Sequence, residues 1–158
     1  MIPAILRRRT PGGRWQRGAA AVEFAIMMPI LAVLLAPTIL YARYMWHYTV
    51  AHKAAQDAAR YMSTVSVSEM RSRTLVTHAS EVAVEIARRE LFELAPGADY
   101  RDAEVQCDGV QCGQRSGAVP ANVKVFITFN MYDPIFNTYL GEWGTAIEVT
   151  VEVPYVGR

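Results

Sequence analysis

The chain has 158 residues, which is enough for one modest domain and a segment or two. Its formal net charge of +1 excludes the strong overall field that nucleic-acid-binding proteins use. The charge is unevenly spread, however, because every charged side chain before Glu23 is an arginine. These residues are Arg7, Arg8, Arg9, Arg14 and Arg17. Such asymmetry predicts a membrane or nucleic-acid contact at the N-terminus, and the apolar run that follows favours the membrane.

Residues 24–42 carry no charged side chain, and the run has about the length of a transmembrane helix. A secretory signal has a shorter apolar region and a small-residue cleavage site, whereas here Ala36 is followed by Pro37. A twin-arginine signal also remains open, but it too requires later cleavage. We therefore expect a retained membrane anchor, bent at Pro29 and Pro37 because each proline removes a backbone donor. The upstream arginines predict a cytoplasmic N-terminus and a C-terminal part outside.

Glu23 places one carboxylate near the start of this apolar run. A carboxylate at the centre of a bilayer costs roughly 2.5 to 3.5 kcal/mol on insertion scales, so its presence needs an explanation. In one explanation Glu23 is an interfacial acid at the N-terminus of the helix, where the helix dipole favours it. In the other, Glu23 belongs to a processing signal together with its neighbours.

The neighbours of Glu23 support the second explanation. Gly18 is followed by four small or apolar residues and then by Glu23 and Phe24, with arginines before and a hydrophobic stretch after. This pattern resembles the prepilin cleavage signal of the tight-adherence (Flp) pili. The resemblance implies that an inner-membrane aspartyl prepilin peptidase cuts after Gly18, so that the mature chain begins at Ala19. Glycine suits such a site because it lets an extended backbone lie close to a protease.

Cleavage there would create a charged amine at Ala19 beside lipid, and we expect Glu23 of an adjacent subunit to neutralise it. Two unit charges about 4 Å apart attract by roughly 4 kcal/mol at an effective dielectric constant of about 20. The net gain is smaller, because both groups must lose their water. The pairing is a hypothesis that follows from the spacing of the two residues.

The resemblance extends over residues 17–63 to the TadE-like minor pilins, or pseudopilins, of the tight-adherence family. Its further marks are Pro29, Arg43 and the stretch AAQDAARYMS at residues 54–63. The chain differs from many relatives in having Tyr41 and Ala42 before that arginine, and in its second proline, Pro37. The family implies a structural role in pilus assembly. It also implies contacts with the prepilin peptidase, the major Flp pilin, other minor pilins, the inner-membrane assembly platform and membrane lipid.

An amphipathic helix is predicted to continue the membrane run, with one face repeating every three or four residues. This face consists of Tyr41, Tyr44, Met45, Tyr48, His52, Ala55, Ala59 and Met62. One helix over about residues 20–62 would be roughly 60 Å long. Its aromatic side chains suit a membrane interface, a partner contact or packing inside their own domain. The residues assigned to the assembly helix are Pro29, Pro37, Arg43, Tyr44 and Tyr48.

A second helix is predicted to open at a capping box of Ser66 and Glu69 and to end at Pro96-Gly97. Its predicted apolar face comprises Leu75, Val76, Ala79, Val82, Ala83, Ile86 and Leu94. Residues 103–107 predict a short strand, and alternation with a period of two predicts half-buried strands at residues 123–132 and 147–155. The aromatic-rich connection at residues 133–143 either contacts a partner or folds over the sheet edge.

Cys107 and Cys112 flank a strong turn signal, Asp108-Gly109. A disulfide between them would close a short loop, contribute roughly 2 kcal/mol and require an oxidising compartment. Two free thiols remain the alternative. Half of a metal site is less favoured, because a second pair of ligands is missing.

No residue pattern predicts an active site. His47 and His52 are five residues apart, so on a helix they diverge and cannot share a metal ion well. His78 stands without a ligand partner on the predicted second helix. We find no catalytic spacing of serine, cysteine or paired carboxylates, and no glycine-rich loop after a strand. We therefore expect neither a metal, a cofactor nor enzymatic activity.

The predicted fold class is α+β and pilin-like, with a long transmembrane helix, an amphipathic extension, and a second helix on a small antiparallel sheet. The predicted segments are a cleaved basic leader at residues 1–18, a transmembrane segment at 19–42, the helix extension at 43–63 and a periplasmic domain at 64–158. We expect a single-pass protein of the bacterial inner membrane that reaches the pilus or cell surface after assembly. Two alternatives are a bitopic membrane protein with an uncleaved leader and a ligand- or partner-binding periplasmic domain, and a secreted enzyme.

Overall fold

The structure, a computed structural model, describes residues 15–94, 98–100, 103–114, 117–132 and 144–157. The arginines at positions 7–9 and 14, the Pro96-Gly97 stop signal and the aromatic-rich connection at residues 133–143 lie outside the described residues. The chain divides into two compact units, Met1–Tyr41 and Ala42–Arg158.

The first helix, α1, covers Trp15–Ser63 and contains both Pro29 and Pro37. It begins earlier than the predicted residue 20, since Gly18 is incorporated in its first turn instead of interrupting it. An 18-residue stretch of this helix reaches a mean hydropathy of 2.3, and none of that stretch is buried in the protein. A long apolar helix that its own fold leaves uncovered fits a single-pass membrane protein.

Two helices occupy the region where one was predicted. α2 is Val67–Arg71 and α3 is Arg73–Leu91, followed by a single 3₁₀ turn at Phe92–Leu94. The break falls at Ser72, whose backbone is extended at φ −91° and ψ 118°. No glycine or proline marks this position, so the sequence pattern carried no signal for it. The prediction of one continuous helix from the capping box onward was therefore wrong, whereas its predicted end at Pro96-Gly97 lies outside the described residues.

The predicted capping box does open α2. The hydroxyl oxygen of Ser66 accepts a hydrogen bond from the backbone N–H of Glu69 at 3.3 Å, and the Glu69 carboxylate accepts one from the backbone N–H of Ser66 at 3.2 Å. The Ser66 hydroxyl also donates to that carboxylate at 2.7 Å, and this bond lowers the pKa of Glu69. These bonds satisfy donors that a helix N-terminus otherwise leaves unpaired.

Within the described residues the sheet has five antiparallel strands: β1 Ala98–Tyr100, β2 Glu104–Cys107, β3 Val110–Gln111, β4 Asn122–Met131 and β5 Thr145–Pro154. β4 lies at the centre and pairs with β5 along its whole length. On its other side β4 pairs first with β2 and then with β1. β3 extends the sheet beyond β2 as a short hairpin. The two long strands were predicted by their alternation, whereas β1 and β3 were not.

One face of this sheet forms the core of the second unit. β4 and β5 bury every second side chain on that face: Val123, Val125, Ile127, Phe129, Met131, Ile147, Val149 and Val151. Helix α3 adds Val76, Ala79, Ala83, Ala87 and Leu91. The predicted apolar face of α3 was wrong at one position, since Leu75 is 49% exposed. The α+β fold with a helix packed on an antiparallel sheet is confirmed.

The second half of α1 contributes a seam of small side chains to the same core. Its buried residues are His47, Ala51, Ala54, Ala55, Ala58, Ala59, Met62 and Ser63. The predicted face was right at Ala55, Ala59 and Met62, but it was wrong nearer the membrane run. There Tyr41 and Tyr48 remain exposed and the buried seam begins at His47 instead. The tyrosines have longer side chains than this close-packed seam accommodates.

Candidate processing site and assembly helix

The predicted processing residues all lie on α1, and all are solvent-accessible in the structure. Gly18, Ala19, Glu23 and Phe24 are helical, and a side chain added to Gly18 would meet no atom within 4 Å. The expected extended backbone at Gly18 is thus replaced by the first turn of a helix.

Glu23 lies one helical turn beyond Ala19, on the same side of α1. After a cut behind Gly18, its carboxylate would be close to the new amine of its own chain and equally available to a neighbouring chain. Within the uncut helix Glu23 lies more than two turns from the start at Trp15, and the first turn holds no acidic residue. The dipole of the helix terminus, which decays within about one turn, therefore explains Glu23 poorly in the uncut chain.

The two prolines leave helix carbonyls without their usual donors. A residue at position i donates to the carbonyl four residues earlier, so Pro29 leaves the carbonyl of Ala25 unpaired and Pro37 leaves that of Val33 unpaired. The hydroxyl of Thr38, the residue directly after Pro37, donates to the carbonyl of Leu34 at 3.1 Å. In a membrane, unpaired carbonyls favour contact with a second helix that supplies donors.

The assembly-helix residues beyond the apolar run differ in their surroundings. Arg43 and Tyr44 are half-buried, whereas Tyr48 is exposed with its ring centroid 6.1 Å from that of His52. Trp46, which the sequence analysis overlooked, is 52% exposed in the same stretch. A tryptophan directly after an apolar run is a recognised signal of a membrane interface, so the sequence did contain it.

His47 is a packing residue of the core. Its Nδ1 lies 2.8 Å from the carbonyl oxygen of Arg43, to which it donates, and its Nε2 is buried with no hydrogen-bond partner among the described residues. Its ring lies edge-on to Trp46, with centroids 5.3 Å apart, and 6.5 Å from Phe129 on β4. Among the residues that the structure describes, no three potential metal ligands come together.

An ion pair and hydrogen bonds join the later part of α1 to other elements of the second unit. Lys53 forms an ion pair with Glu90 of α3 at 2.6 Å, and the hydrogen bond to that carboxylate raises the pKa of Lys53. At the end of α1, the carbonyl of Ser63 accepts hydrogen bonds from the backbone N–H groups of Val156 and Gly157 at 3.1 and 3.2 Å. The last residues of the chain thereby pair a carbonyl that the helix C-terminus leaves free.

Tyr155 forms a further bond in this clasp. Its hydroxyl donates to the carbonyl of Val65 at 2.6 Å, just beyond the end of α1. Burial raises the pKa of Tyr155, and the nearby Glu69 carboxylate raises it further. The segment that follows β5 is therefore held against the α1–α2 junction by both backbone and side-chain bonds.

Cys107 and Cys112 form the predicted disulfide, with Cα atoms 4.9 Å apart. The hairpin between β2 and β3 turns through Asp108 and Gly109, at φ values of 49° and 78°, which is the geometry that Asp-Gly favours. The Asp108 carboxylate accepts hydrogen bonds from the backbone N–H groups of Ala121 and Asn122 at 2.9–3.1 Å. The hairpin is thus fastened to the start of β4.

The same hairpin docks on the start of α3. The guanidinium of Arg73 donates from Nε to the carbonyl of Gly113 at 3.0 Å and from Nη2 to that of Gln114 at 3.4 Å. Gly113 has a φ of +93°, and a side chain there would lie 2.9 Å from the hydroxyl oxygen of Thr77. A small cavity of about 20 Å³ remains beside the disulfide, lined in part by Met70 and Pro120.

A larger, open groove of about 420 Å³ lies between α3 and β2. Its hydroxyl-bearing residues are Thr77 and Ser80, and both hydroxyls donate to backbone carbonyls of α3, at 2.9 and 2.7 Å. Its carboxylates are those of Glu81, Glu85 and Glu104. Among the described lining residues, neither hydroxyl is hydrogen-bonded to a side-chain base, so the groove presents no activated nucleophile.

Comparison with protein families gives one match. The family model described as TadE-like protein matches residues 18–60. The match begins at the glycine that precedes the predicted cleavage point and ends three residues before α1 does.

Neither the curated proteins nor the solved structures contain a match to the chain. The likeness is therefore confined to α1, and the sheet domain beyond it is described only by its own structure. The match shows that residues 18–60 of the chain are similar to the TadE-like protein family.

Proposed function

We propose that the protein is a minor pilin, or pseudopilin, of a tight-adherence (Flp, type IVb) pilus. In this proposal its role is structural: it is a substrate of the prepilin peptidase, and it is no enzyme itself. It is held in the bacterial inner membrane by residues 19–42 until assembly. Its outer domain is displayed in the periplasm and then on the pilus or cell surface.

The observation that carries the proposal is the coincidence of three features on α1. The TadE-like match begins at Gly18, an acid follows at Glu23, and an uncovered apolar stretch of membrane length comes directly after. Each feature alone occurs in many membrane proteins. Their order and spacing within one helix are what a prepilin needs, because the acid stays close to the new terminus after cleavage.

In the proposed mechanism, cleavage changes which charges lie at the N-terminus of α1. The leader arginines hold the uncut chain with its N-terminus in the cytoplasm. Cleavage after Gly18 removes them and leaves an ammonium group at Ala19. Glu23 pairs with that ammonium on an adjacent subunit, so that both charges can enter a helix bundle at a lower cost than either would alone. The major Flp pilin, other minor pilins and the inner-membrane assembly platform are the partners of that bundle.

The outer domain follows α1 out of the membrane because they share a core. The buried seam of α1, from His47 to Met62, packs in the same interior as the sheet. Separating the domain from this helix would expose that interior to water.

The N-terminal mass of the protein recovered from its host membrane tests the proposal. We expect a chain that begins at Ala19, and we expect Gly18→Val to retain the leader because a branched side chain hinders close approach of the peptidase. Gly109→Ala in the outer domain serves as a control that leaves processing unchanged. A wild-type chain that still carries all its leader arginines would contradict the proposal.

The role of Glu23 is tested separately from cleavage. We expect Glu23→Gln to be cut normally and to remain in the membrane, yet to enter pilus fractions poorly, because it keeps the size but not the charge. Glu23→Asp should restore part of the incorporation. Equal incorporation of Glu23→Gln and wild type would exclude the charge-pairing mechanism while leaving the cleavage proposal intact.

A second candidate is a bitopic membrane protein that keeps its leader and binds a ligand or partner through its outer domain. The uninterrupted helix through Gly18 favours this candidate, because an uncut helix there would be stable as it stands. The same mass measurement separates the two functions. A retained leader together with correct membrane insertion would support the bitopic protein.

A further inference from the structure

In the part of the chain that the structure describes, the long strand β5 has a partner strand on one side only. It pairs with β4 over all ten of its residues, and within the described parts of the chain no other strand pairs with it. β4, by contrast, has partners on both sides. β5 is therefore an edge strand of nearly twice the usual length, and an edge strand presents unpaired N–H and C=O groups.

The register shows which residues carry those groups. The backbone N–H of Tyr155 donates to the carbonyl of Ala121 at 2.9 Å, which marks a hydrogen-bonded pair immediately after β5. The same register continues without a bulge to Met131 and Thr145. Such pairs alternate in an antiparallel ladder. The backbone N–H and C=O groups of the odd-numbered residues of β5 therefore bond to β4, and those of the even-numbered residues point away from β4. The outward-pointing set is Ala146, Glu148, Thr150, Glu152 and Pro154.

Pro154 agrees with this assignment. Proline has no N–H, and within a sheet it is tolerated where that N–H would face away from the ladder. The row of backbone N–H groups on the unpaired side of β5 therefore ends before Pro154. The row that remains, from Ala146 to Glu152, offers four N–H and four C=O groups in the spacing that another strand would need.

This edge is firmly held in place. The side chains of Ile147, Val149 and Val151 are buried in the core, and the segment after the strand is clasped to the end of α1. A strand anchored in this way is pre-organised, so the binding of another strand costs no entropy for ordering β5. All four outward-pointing residues before Pro154 have exposed side chains on the opposite face of the sheet.

The exposed side chains set a charge preference. Glu148 and Glu152 are both acidic, and Lys124 lies opposite Glu152 in the β4–β5 register. Glu148 faces the uncharged Thr128 instead. Its charge is consequently the one that a new neighbouring strand would meet uncompensated, and an opposite charge beside it is stabilising.

A second copy of the same strand is a poor occupant. In the symmetric antiparallel pairing centred on Thr150, each Glu148 would lie opposite the Glu152 of the other copy. Like charges directly opposite each other destabilise a strand pair. Acidic side chains on a long edge are also a common device against self-association.

We propose that the free edge of β5 is a docking site for an extended segment of another protein, with basic residues at alternate positions, which adds a strand to the sheet. Main-chain bonds from Ala146 to Glu152 supply the affinity, and Glu148 selects the basic residue beside it. The proposal does not depend on leader cleavage, so it stands or falls separately from the pilin function.

The test uses the full chain in lipid nanodiscs and a fluorescent synthetic peptide that alternates lysine with valine. We expect saturable binding by anisotropy, together with slower amide hydrogen exchange at Glu148, Thr150 and Glu152. The amides of Ile147 and Val149 already bond to β4 and should change little. A peptide with glutamate in place of lysine should bind at least about tenfold more weakly.

Matched variants separate strand addition from simple charge attraction. Thr150→Pro removes one outward-pointing N–H, whereas Thr150→Val keeps it, and amide spectra report whether each variant is folded. We expect Thr150→Pro to weaken peptide binding about tenfold and Thr150→Val to leave it unchanged. Glu148→Lys should weaken binding comparably, while Glu81→Lys on α3 should not.

Three results would overturn the proposal. The first is equal binding of the lysine peptide to a folded Thr150→Pro variant. The second is equal binding of a peptide whose backbone nitrogens are all methylated, since such a peptide keeps its charge but has no backbone N–H to donate to β5. The third is concentration-dependent protection of the β5 amides without peptide, which would show that a second copy is the occupant.

Discussion

Gly113 is the residue at which the disulfide hairpin meets α3. Its φ of +93° disfavours any side chain, and an added Cβ would lie 2.9 Å from the hydroxyl oxygen of Thr77 and 3.3 Å from a methyl carbon of Val76. The Thr77 hydroxyl cannot turn aside freely, because it donates to the carbonyl of Arg73 at 2.9 Å. Gly109 in the same hairpin also has a positive φ, but a side chain there would meet nothing within 4 Å.

This difference gives a matched pair of variants. We expect Gly109→Ala to lower the free energy of unfolding by about 1 kcal/mol through backbone strain alone. Gly113→Ala should lower it by about 1–3 kcal/mol more, because the new methyl group overpacks the contact with α3. Urea unfolding of the full chain in detergent, followed by near-ultraviolet circular dichroism, measures both values. Equal losses for the two variants would show that the hairpin does not press on α3.

Tyr155 makes stability depend on alkaline pH. Its pKa is raised in the folded chain, so the folded state holds the phenolic proton more tightly than the unfolded state. The resulting stability is complete below the ordinary tyrosine pKa of about 10 and is lost as the pH rises through the folded-state value.

Tyr155→Phe removes both the titrating group and its hydrogen bond to the Val65 carbonyl. We expect the variant to be about 1 kcal/mol less stable at neutral pH. We also expect its stability to fall less steeply than that of wild type between pH values of about 9 and 12. Unfolding curves across that range test the sign. A steeper fall in the variant would contradict the assignment of this pH dependence to Tyr155.

At the scale of elements, the two parts of α1 differ in composition and in surroundings. Its first part is apolar on every side, whereas its second part buries a narrow seam of alanines against the sheet domain. Alanine favours the helix and lets it lie close to its neighbours, so both requirements are met by one residue type. Ala58 is fully buried in this seam and Gln56, two residues earlier, is exposed.

Leucine at these two positions therefore has opposite consequences. We expect Ala58→Leu to destabilise the outer domain by about 1–3 kcal/mol, because the core has no space for the extra carbons. Gln56→Leu should change stability by less than about 0.5 kcal/mol, since both residues favour helix and the site faces solvent. Chemical unfolding compares the two in the same membrane mimic. A neutral Ala58→Leu variant would mean that α1 packs loosely on the domain.

For the whole molecule, two independent features agree on one topology. The leader arginines favour a cytoplasmic N-terminus, and the Cys107–Cys112 disulfide requires an oxidising compartment for the outer domain. In the proposed topology, the first feature acts before insertion and the second forms only after the domain has reached an oxidising compartment. Orientation can therefore be measured from either end of the chain.

We expect alkaline phosphatase fused after residue 158 to be active, and Cys107 and Cys112 to resist alkylation until they are reduced. Replacing the arginines at positions 7–9 with glutamine should lower the phosphatase activity and raise the alkylated fraction together. Mass spectrometry after maleimide treatment measures that fraction. Free thiols in the wild-type chain would place the domain on the reducing side and contradict this topology.

Patterns along the chain predicted those parts of the protein that depend on neighbours in sequence. The apolar run, the capping box at Ser66, the alternation in β4 and β5 and the short disulfide loop are all local. So is the TadE-like segment, which is a single helix. Each of these features is encoded within a few turns or one strand, and each requires no knowledge of what lies across the core.

Other features depend on contacts between elements that are distant in the sequence. The break at Ser72 lacks a breaking residue, and the buried seam of α1 begins at His47 because Phe129 of β4 packs there. β3 forms because Val110 and Gln111 find a partner in β2. The unpaired side of β5 follows from the order of the strands in the described residues. A period in the sequence records that a face is covered, but the element that covers it comes from pairing between distant parts of the chain, and only the tertiary structure determines that pairing.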